Sequence, residues 1–168
     1  MTLEQFRTAK DELFRGPDSP LGPRRKTFTG LKYFPIRSEY IFTLPMTPAT
    51  DPSPIQVEAS SGPQRTYHRA GNVHLKIDGQ EVTFHILRDA NGNLFLPFRD
   101  GTSGHESYGA GRYLEPHELG DGSIRLDFNY AYNPYCAYTP EYSCPFPPRE
   151  NWSMVPIRAG EMTYHPNA

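Results

Sequence analysis

The stretch FRDGTSGHESYGAGRYLE, residues 98 to 115, places charged side chains and glycines in one short run. Backbone N–H groups around Ser103 and Gly104 can converge on an anion, with Arg99 or Arg112 as the charged partner. A carboxylate or phosphate group fits such a site. The stretch therefore predicts a loop that binds a small anionic molecule.

The same stretch also permits a purely structural interpretation. Polar, glycine-rich connections are common on β proteins, and Asp100 with Gly101 would then be ordinary turn residues. Arg112 would lie on a solvated face or pair with an acid such as Asp100, because arginine is rarely buried without a partner. The direction of the Arg112 side chain decides between the two interpretations.

A second candidate segment is NYAYNPYCAYTPEYSCPFPPREN, residues 129 to 151. It is too apolar for a disordered tail and too rich in proline for a central strand, so we expect an ordered lid over one end of a sheet. Tyrosine combines a large contact area with a polar tip, which suits ligand contacts from Tyr132, and from Tyr108 in the first stretch. Asn133 would orient the ligand. The alternative is that the rings only fill the core.

The two cysteines of the lid, Cys136 and Cys144, do not match a standard zinc spacing and lack two further ligands, so no metal site is predicted. One of them would serve as a nucleophile or redox thiol, with Asp100 as its acid–base partner, or both are small buried apolar residues. Two cysteines are also too few for a disulfide scaffold.

The elements that would position these residues are mainly strands. Short β-prone runs separated by turn signals occur along the chain at 40 to 44, 55 to 59, 94 to 98, 108 to 114, 123 to 129 and 154 to 159. Strands at this spacing predict an all-β fold, a mainly antiparallel barrel or sandwich.

The most specific local signal is NVHLKIDGQEVTFHIL, residues 72 to 87. Asp78-Gly79 is a preferred dipeptide of a two-residue type I′ hairpin turn, which places Ile77 opposite Gln80. In that register one face of the hairpin is apolar and the other polar. The apolar face consists of Val73, Leu75, Ile77, Val82 and Phe84.

The N-terminal part carries the one helical pattern. Residues 3 to 14 predict an amphipathic helix because apolar residues recur at helical intervals, Thr2 and Gln5 have capping-box spacing, and Gly16 supplies a stop. An extended strap follows. We divide a single structural domain into this helix and strap, residues 1 to 38, and a β domain with its lid, residues 39 to 168.

Composition excludes several classes of function. With 17 basic and 19 acidic residues among 168, the chain has a formal net charge of -2, which gives no reason to expect nucleic acid. Its N-terminus has no apolar run typical of a signal peptide or membrane span, so we expect a cytoplasmic protein. Phosphate-binding P-loop, dinucleotide, GxSxG and HExxH motifs are absent, so no cofactor is indicated.

The strings LFLPFRDGTSGHESYGAGRYLE, LDFNYAYNPYCAYTPEYSCPFPPREN and IRAGE resemble a bacterial and archaeal family catalogued as domain of unknown function sixteen eighty-four. SPL and FTGLKYFP near the N-terminus also resemble it. The chain departs from the family pattern in having Gly101 and Ser107 where alanine and threonine are expected. The resemblance implies no substrate, cofactor or catalytic residue, but its signature lies on the two candidate segments.

Three hypotheses about function follow. The first is a pocket, formed by residues 99 to 113 and the lid, that binds a small anionic metabolite. In it Arg112 would hold the charge of the ligand, and the main chain of residues 101 to 104 would supply hydrogen-bond donors. The second is an enzyme that uses Cys136 or Cys144, and the third is an interaction module whose lid is the partner surface. The sequence leaves the oligomeric state open. The residues expected at the site are Arg99, Asp100, Ser103, Gly104, Tyr108, Arg112, Tyr132, Asn133, Cys136 and Cys144.

Overall fold

The computed structural model describes residues 1–165, which form two antiparallel sheets and one N-terminal α-helix. The helix α1 spans Leu3–Arg15. The strands are β1 (Ile41–Pro45), β2 (Thr47–Pro48), β3 (Pro54–Val57), β4 (Arg65–Ile77), β5 (Gln80–Arg88), β6 (Leu94–Phe98), β7 (Arg112–Leu114), β8 (His117–Glu118) and β9 (Ser123–Asp127).

The two sheets are open and enclose one core. The larger sheet has the order β2-β4-β5-β6-β7, with β3 also paired to β4, and the smaller has the order β1-β9-β8. Side chains from both sheets meet in one buried cluster, in which the rings of Phe84 and Phe98 pack against Phe128. The prediction of a mainly antiparallel β fold with an N-terminal helix is confirmed, and the open sheets correspond to a sandwich.

The β4–β5 hairpin follows the register that the turn chemistry predicts. Ile77 lies opposite Gln80 and Leu75 opposite Val82. Asp78 and Gly79 both have positive φ values, 51° and 77°, as a type I′ turn requires. All five residues of the predicted apolar face are buried, so the hairpin prediction is confirmed.

The helix α1 begins with the predicted capping box, in which Thr2 and Gln5 exchange side-chain to main-chain hydrogen bonds. Its Phe14 ring is fully buried in a second, smaller cluster that also contains Leu21, Phe28 and Tyr138. Helix, strap and lid therefore pack against one another. Among the described residues, no helix combines the length and hydropathy needed to span a bilayer.

Two strand predictions are wrong. The run at 108 to 114 is extended only in β7, because Tyr108 begins a turn in which the Gly111 N–H donates to the Tyr108 carbonyl, and Gly111 has a φ of 104°. The run at 154 to 159 forms no strand, since side chains of Asp100 and Arg112 bind its main chain in place of a neighbouring strand.

Candidate functional site

The loop that follows β6 is organised around the buried carboxylate of Asp100. Its oxygens accept hydrogen bonds from the Thr102 hydroxyl at 2.8 Å and from the Ile157 N–H at 2.6 Å. The N–H groups of Ser103 and Gly104 both donate to main-chain carbonyls within the loop at 3.0 Å. The hydrogen-bond donors that the sequence suggested for a ligand are thus engaged inside the protein.

Arg112, the first residue of β7, lies fully buried beneath this loop. Its guanidinium donates to the carbonyls of Ile157 at 2.9 Å and Glu161 at 3.1 Å, and also to that of Ala159. It reaches Asp100 Oδ1 at 3.4 Å. Arg112 and Asp100 therefore fasten the C-terminal segment to the larger sheet.

Burial lowers the pKa of Arg112, and the carboxylate of Asp100 opposes that shift. The guanidinium carbon also lies over the ring of Phe98, 5.3 Å from the ring centroid. A guanidinium group can lie against an aromatic ring when its N–H groups, which lie along its edge, donate hydrogen bonds elsewhere. The surroundings of Arg112 are those of a structural ion pair.

A cavity of about 560 Å³ opens where the 99 to 111 loop meets the end of the lid, and we call it the arginine cavity. Its walls combine apolar side chains with two arginines. The lining residues are Gln56, Val57, Glu58, Arg99, Ala110, Phe146, Pro147, Pro148, Arg149 and Trp152.

Two guanidinium groups lie against the indole of Trp152 in the arginine cavity. The guanidinium carbon of Arg99 lies 4.5 Å from a ring centroid of Trp152, and that of Arg149 lies at 5.2 Å. The indole N–H donates to the Pro147 carbonyl at 2.9 Å, which fixes the ring. Trp152 is 47% exposed, so the arrangement is open to solvent.

The charge of the arginine cavity is predominantly positive. Within residues 1–165, neither Arg99 nor Arg149 has a carboxylate within 4.0 Å. Glu58 is the acid among the lining residues, and it accepts a hydrogen bond from Gln64. Two cations beside one acid favour an anionic partner.

A second cavity of about 610 Å³ lies between α1, β7 and the lid, and we call it the tyrosine cavity. Tyr132 and Asn133 line it, and the buried Oδ1 atom of Asn133 has no hydrogen-bond partner in the part of the chain that the structure describes. Its Lys10 is paired with the buried Glu161 at 2.6 Å. This cavity is more aromatic than the first, and its lysine is already neutralised.

The two thiols lie close together beside the tyrosine cavity. Cys144 lines that cavity, whereas Cys136 is half-buried and accepts a hydrogen bond from the Tyr108 hydroxyl at 3.7 Å. The hydrogen bond from Cys144, together with that from Tyr108, lowers the pKa of Cys136 to about 6 and exceeds the opposing effect of burial. The same interaction raises the pKa of Cys144. Both cysteines are free.

The sequence-predicted residues divide among three places. Arg99 lies in the arginine cavity. The buried loop network contains Asp100, Ser103, Gly104 and Arg112. The tyrosine cavity is lined by Tyr132, Asn133 and Cys144, and Cys136 with its donor Tyr108 lies beside it. In residues 1–165, no group of three or more His, Cys, Asp or Glu side chains is arranged to hold a metal ion.

Sequence reasoning missed Arg149 and Trp152 as functional candidates. Trp152 is the single tryptophan of the chain, and it closes the run PPRENW, in which a cation and an aromatic ring follow two prolines. That combination is a usable signal, because Trp and Arg are the residue types most enriched at binding surfaces. Lys10 had no such signal, since its partner Glu161 is distant in the sequence.

The family model described as "Protein of unknown function (DUF1684)" matches residues 26–162. The chain belongs to this family. The matched range contains both candidate segments and both cavities' lid residues, so the resemblance found in the sequence is confirmed. A comparison with curated proteins finds no match.

A solved relative has the same fold. It is an uncharacterized protein of Haloarcula marismortui whose structure was determined by solution NMR, and it is 38% identical to this chain. The similarity covers 96% of this chain and 92% of the relative, with a TM-score of 0.74. The family relationship therefore extends over the whole sandwich, including the helix and the lid.

Proposed function

We propose that the protein binds a small anionic molecule with a flat apolar body in the arginine cavity. The observation that carries the proposal is the pair of guanidinium groups, Arg99 and Arg149, held against the exposed ring of Trp152 with no carboxylate partner among residues 1–165. In this proposal the anion site lies between the 99 to 113 region and the lid, and Arg99 and Arg149 hold the charge of the ligand in place of Arg112.

The chemistry of the lining residues supports this class of ligand. Arginine presents a planar set of donors that matches the oxygens of a carboxylate or phosphate. The indole of Trp152 offers a face for a flat ring, and Val57, Phe146 and Pro148 supply apolar contact area beside it. Pockets of this volume with mostly apolar walls and a few polar groups are typical of small-molecule sites.

The buried loop network of Asp100, Ser103, Gly104 and Arg112 holds the main chain next to the arginine cavity in place. Asp100 directly follows Arg99, and its carboxylate bonds fix the main chain from which the Arg99 side chain extends. Gly111 allows Pro147 to approach, since a Cβ at that position would lie 2.9 Å from Pro147 Cγ. In this proposal Asp100, Gly111 and Arg112 position the ligand-binding residues without touching the ligand.

The single tryptophan makes the proposal testable by intrinsic fluorescence. Because two guanidinium groups lie near Trp152, iodide should quench its emission several times more strongly than caesium. Phenyl phosphate and benzoate should perturb the emission saturably, and benzyl alcohol, which has the ring but no charge, should not saturate in the same range.

Variants assign the effect to the two arginines. Arg99→Gln or Arg149→Gln should weaken phenyl phosphate binding by about tenfold to a hundredfold, because a hydrogen bond to a charged group contributes roughly 1.5–3 kcal/mol. Arg37→Gln is the control, since Arg37 is an exposed arginine outside the cavity and pairs with Glu39. Equal binding of phenyl phosphate and benzyl alcohol would refute the proposal, as would unchanged binding in the Arg99→Gln variant.

A further inference from the structure

The thiol pair is not used by the anion site, and it combines a half-buried cysteine, Cys136, with a buried one, Cys144. Cys136 lies in the short 3-10 turn Tyr135–Ala137, where its sulfur is reached by the Tyr108 hydroxyl from the loop after β6. Cys144 lies next to it and borders the tyrosine cavity. Two sulfurs and a phenol from three separate segments of the chain therefore meet beside a cavity.

The segment that carries Cys144 is held firmly. Its N–H donates to the Ser60 hydroxyl at 2.9 Å, and its carbonyl accepts from the Ser60 N–H at 2.9 Å. The next residue, Pro145, accepts a hydrogen bond from the buried Tyr113 hydroxyl at 2.5 Å. Cys144 is thus a fixed thiol, and Cys136 is the more accessible one.

We propose that Cys136 and Cys144 form a redox-active dithiol, in which Cys136 attacks low-molecular-weight disulfides and Cys144 resolves the product. The Cys136 thiolate attacks one sulfur of the disulfide RSSR, which forms a Cys136–SR bond and releases RS⁻. Cys144 then loses its proton to that RS⁻ and attacks the Cys136 sulfur. The second RS⁻ leaves and takes a proton from solvent, so that RSSR is reduced to two RSH while the two cysteines become one disulfide.

The charges around the pair fit this division of roles. Hydrogen bonds from Cys144 and Tyr108 favour the thiolate of Cys136, which is the nucleophilic form. Cys144 stays protonated while Cys136 is a thiolate, because two adjacent thiolates repel each other. Cys144 can lose its proton once Cys136 has formed the mixed disulfide and no longer carries a charge. The second step needs an anionic Cys144, and the positive charge of Arg65 favours that anion.

The pH dependence of thiol reactivity gives a quantitative signature. At pH 6 about half of Cys136 is thiolate, against about one part in a thousand of a thiol at the ordinary pKa of 9.0. The lower pKa also makes the Cys136 thiolate about twentyfold less nucleophilic than the thiolate of the ordinary thiol. At pH 6 Cys136 should therefore react about 25-fold faster than that ordinary thiol. Above about pH 8 the order reverses, because about a tenth of the ordinary thiol is then ionised and its thiolate is the more nucleophilic.

The first experiment measures alkylation of the full-length protein by iodoacetamide from pH 5 to 10, with each cysteine followed by peptide mass spectrometry. Cys136 should react with a half-maximal rate near pH 6 and cross the rate of a model cysteine peptide near pH 8. Tyr108→Phe removes the phenol donor and should shift this profile to higher pH. Ordinary profiles for both cysteines would overturn the proposal.

The second experiment equilibrates the protein with buffers of reduced and oxidised glutathione. Wild type should lose two hydrogen atoms as the Cys136–Cys144 bond forms, and Cys144→Ser should stop at a glutathione adduct on Cys136. Cys136→Ser should give far slower adduct formation. Wild type that stays reduced at every glutathione ratio would overturn the proposal, as would glutathione on Cys144 first, and the wild-type measurement needs no variant to fold.

Discussion

Replacing Arg112 by methionine removes the guanidinium and keeps a flexible apolar side chain in the same buried site. The substitution leaves Asp100 as a buried carboxylate without a cation and deprives the carbonyls of Ile157, Ala159 and Glu161 of their charged donor. Breaking a buried ion pair on one side costs about 3–5 kcal/mol. Asp100 keeps neutral donors such as the Ile157 N–H, so we expect about 4 kcal/mol.

The assay is equilibrium unfolding in urea followed by far-UV circular dichroism. With a slope of about 2 kcal/mol per molar urea, a loss of about 4 kcal/mol lowers the midpoint by about 2 M. Arg125→Met is the matched control, because Arg125 lies on β9 with its side chain 46% exposed, and its midpoint should change little. If Arg112→Met costs less than about 1 kcal/mol, the fastening role of Arg112 is refuted.

A double-mutant cycle tests the ion pair itself. Asp100→Asn alone should also destabilise, because Arg112 is then a buried cation without its anion. The double variant leaves no lone charge, so its cost should fall short of the sum of the single costs by about 1 kcal/mol or more. Additive costs would show that Asp100 and Arg112 act through separate contacts.

Three further predictions concern single residues and are checked by the same urea titration. Gly111→Ala should cost at least about 2 kcal/mol of stability, because the new Cβ would lie 2.5 Å from the Phe98 carbonyl oxygen. Gly122 also has a positive φ, but a Cβ there meets nothing within 4 Å, so Gly122→Ala should cost about 1 kcal/mol. Equal costs would contradict the steric argument. Asn151→Ala should cost about 3 kcal/mol of stability, because the fully buried side-chain amide of Asn151 forms hydrogen bonds with both main-chain groups of His85 and with the Pro97 carbonyl. A change within about 0.5 kcal/mol would show that these hydrogen bonds contribute nothing. Lys10→Met should cost about 3 kcal/mol of stability, because it leaves the buried Glu161 without the cation that pairs with it. The double variant Lys10→Met/Glu161→Gln should recover part of that loss. No recovery would contradict the pairing.

Local chemistry explains which parts of the fold were predictable. The Asp78-Gly79 turn fixes the hairpin register without help from distant residues, and the capping box of α1 is likewise contained in four residues. The run at 108 to 114 has a β-prone composition, but composition does not show the main-chain conformation of its glycines. In the structure Gly111 instead adopts a positive φ that ends a turn.

The candidate site was predictable only in part, because its contacts join distant segments. The sequence indicated Arg99 and a role for the lid, but the partner of Arg99 is the Trp152 ring, and nothing in the spacing of the two residues links them. The acid that meets Arg112 was among the predicted partners, whereas its three main-chain carbonyls lie 45–49 residues further along the chain. Sequence patterns report side-chain types and cannot report which carbonyls a buried cation will bind.

The pairing of Lys10 with Glu161 has a consequence for the order in which the chain matures during synthesis. A 13-residue helix is marginal on its own, and the partner of Lys10 is 151 residues away. This contact of α1 therefore forms only after Glu161 has left the ribosome, 151 residues later than Lys10. A stalled or truncated translation product would carry α1 as an exposed amphipathic segment, which a chaperone or protease would recognise before the sandwich closes.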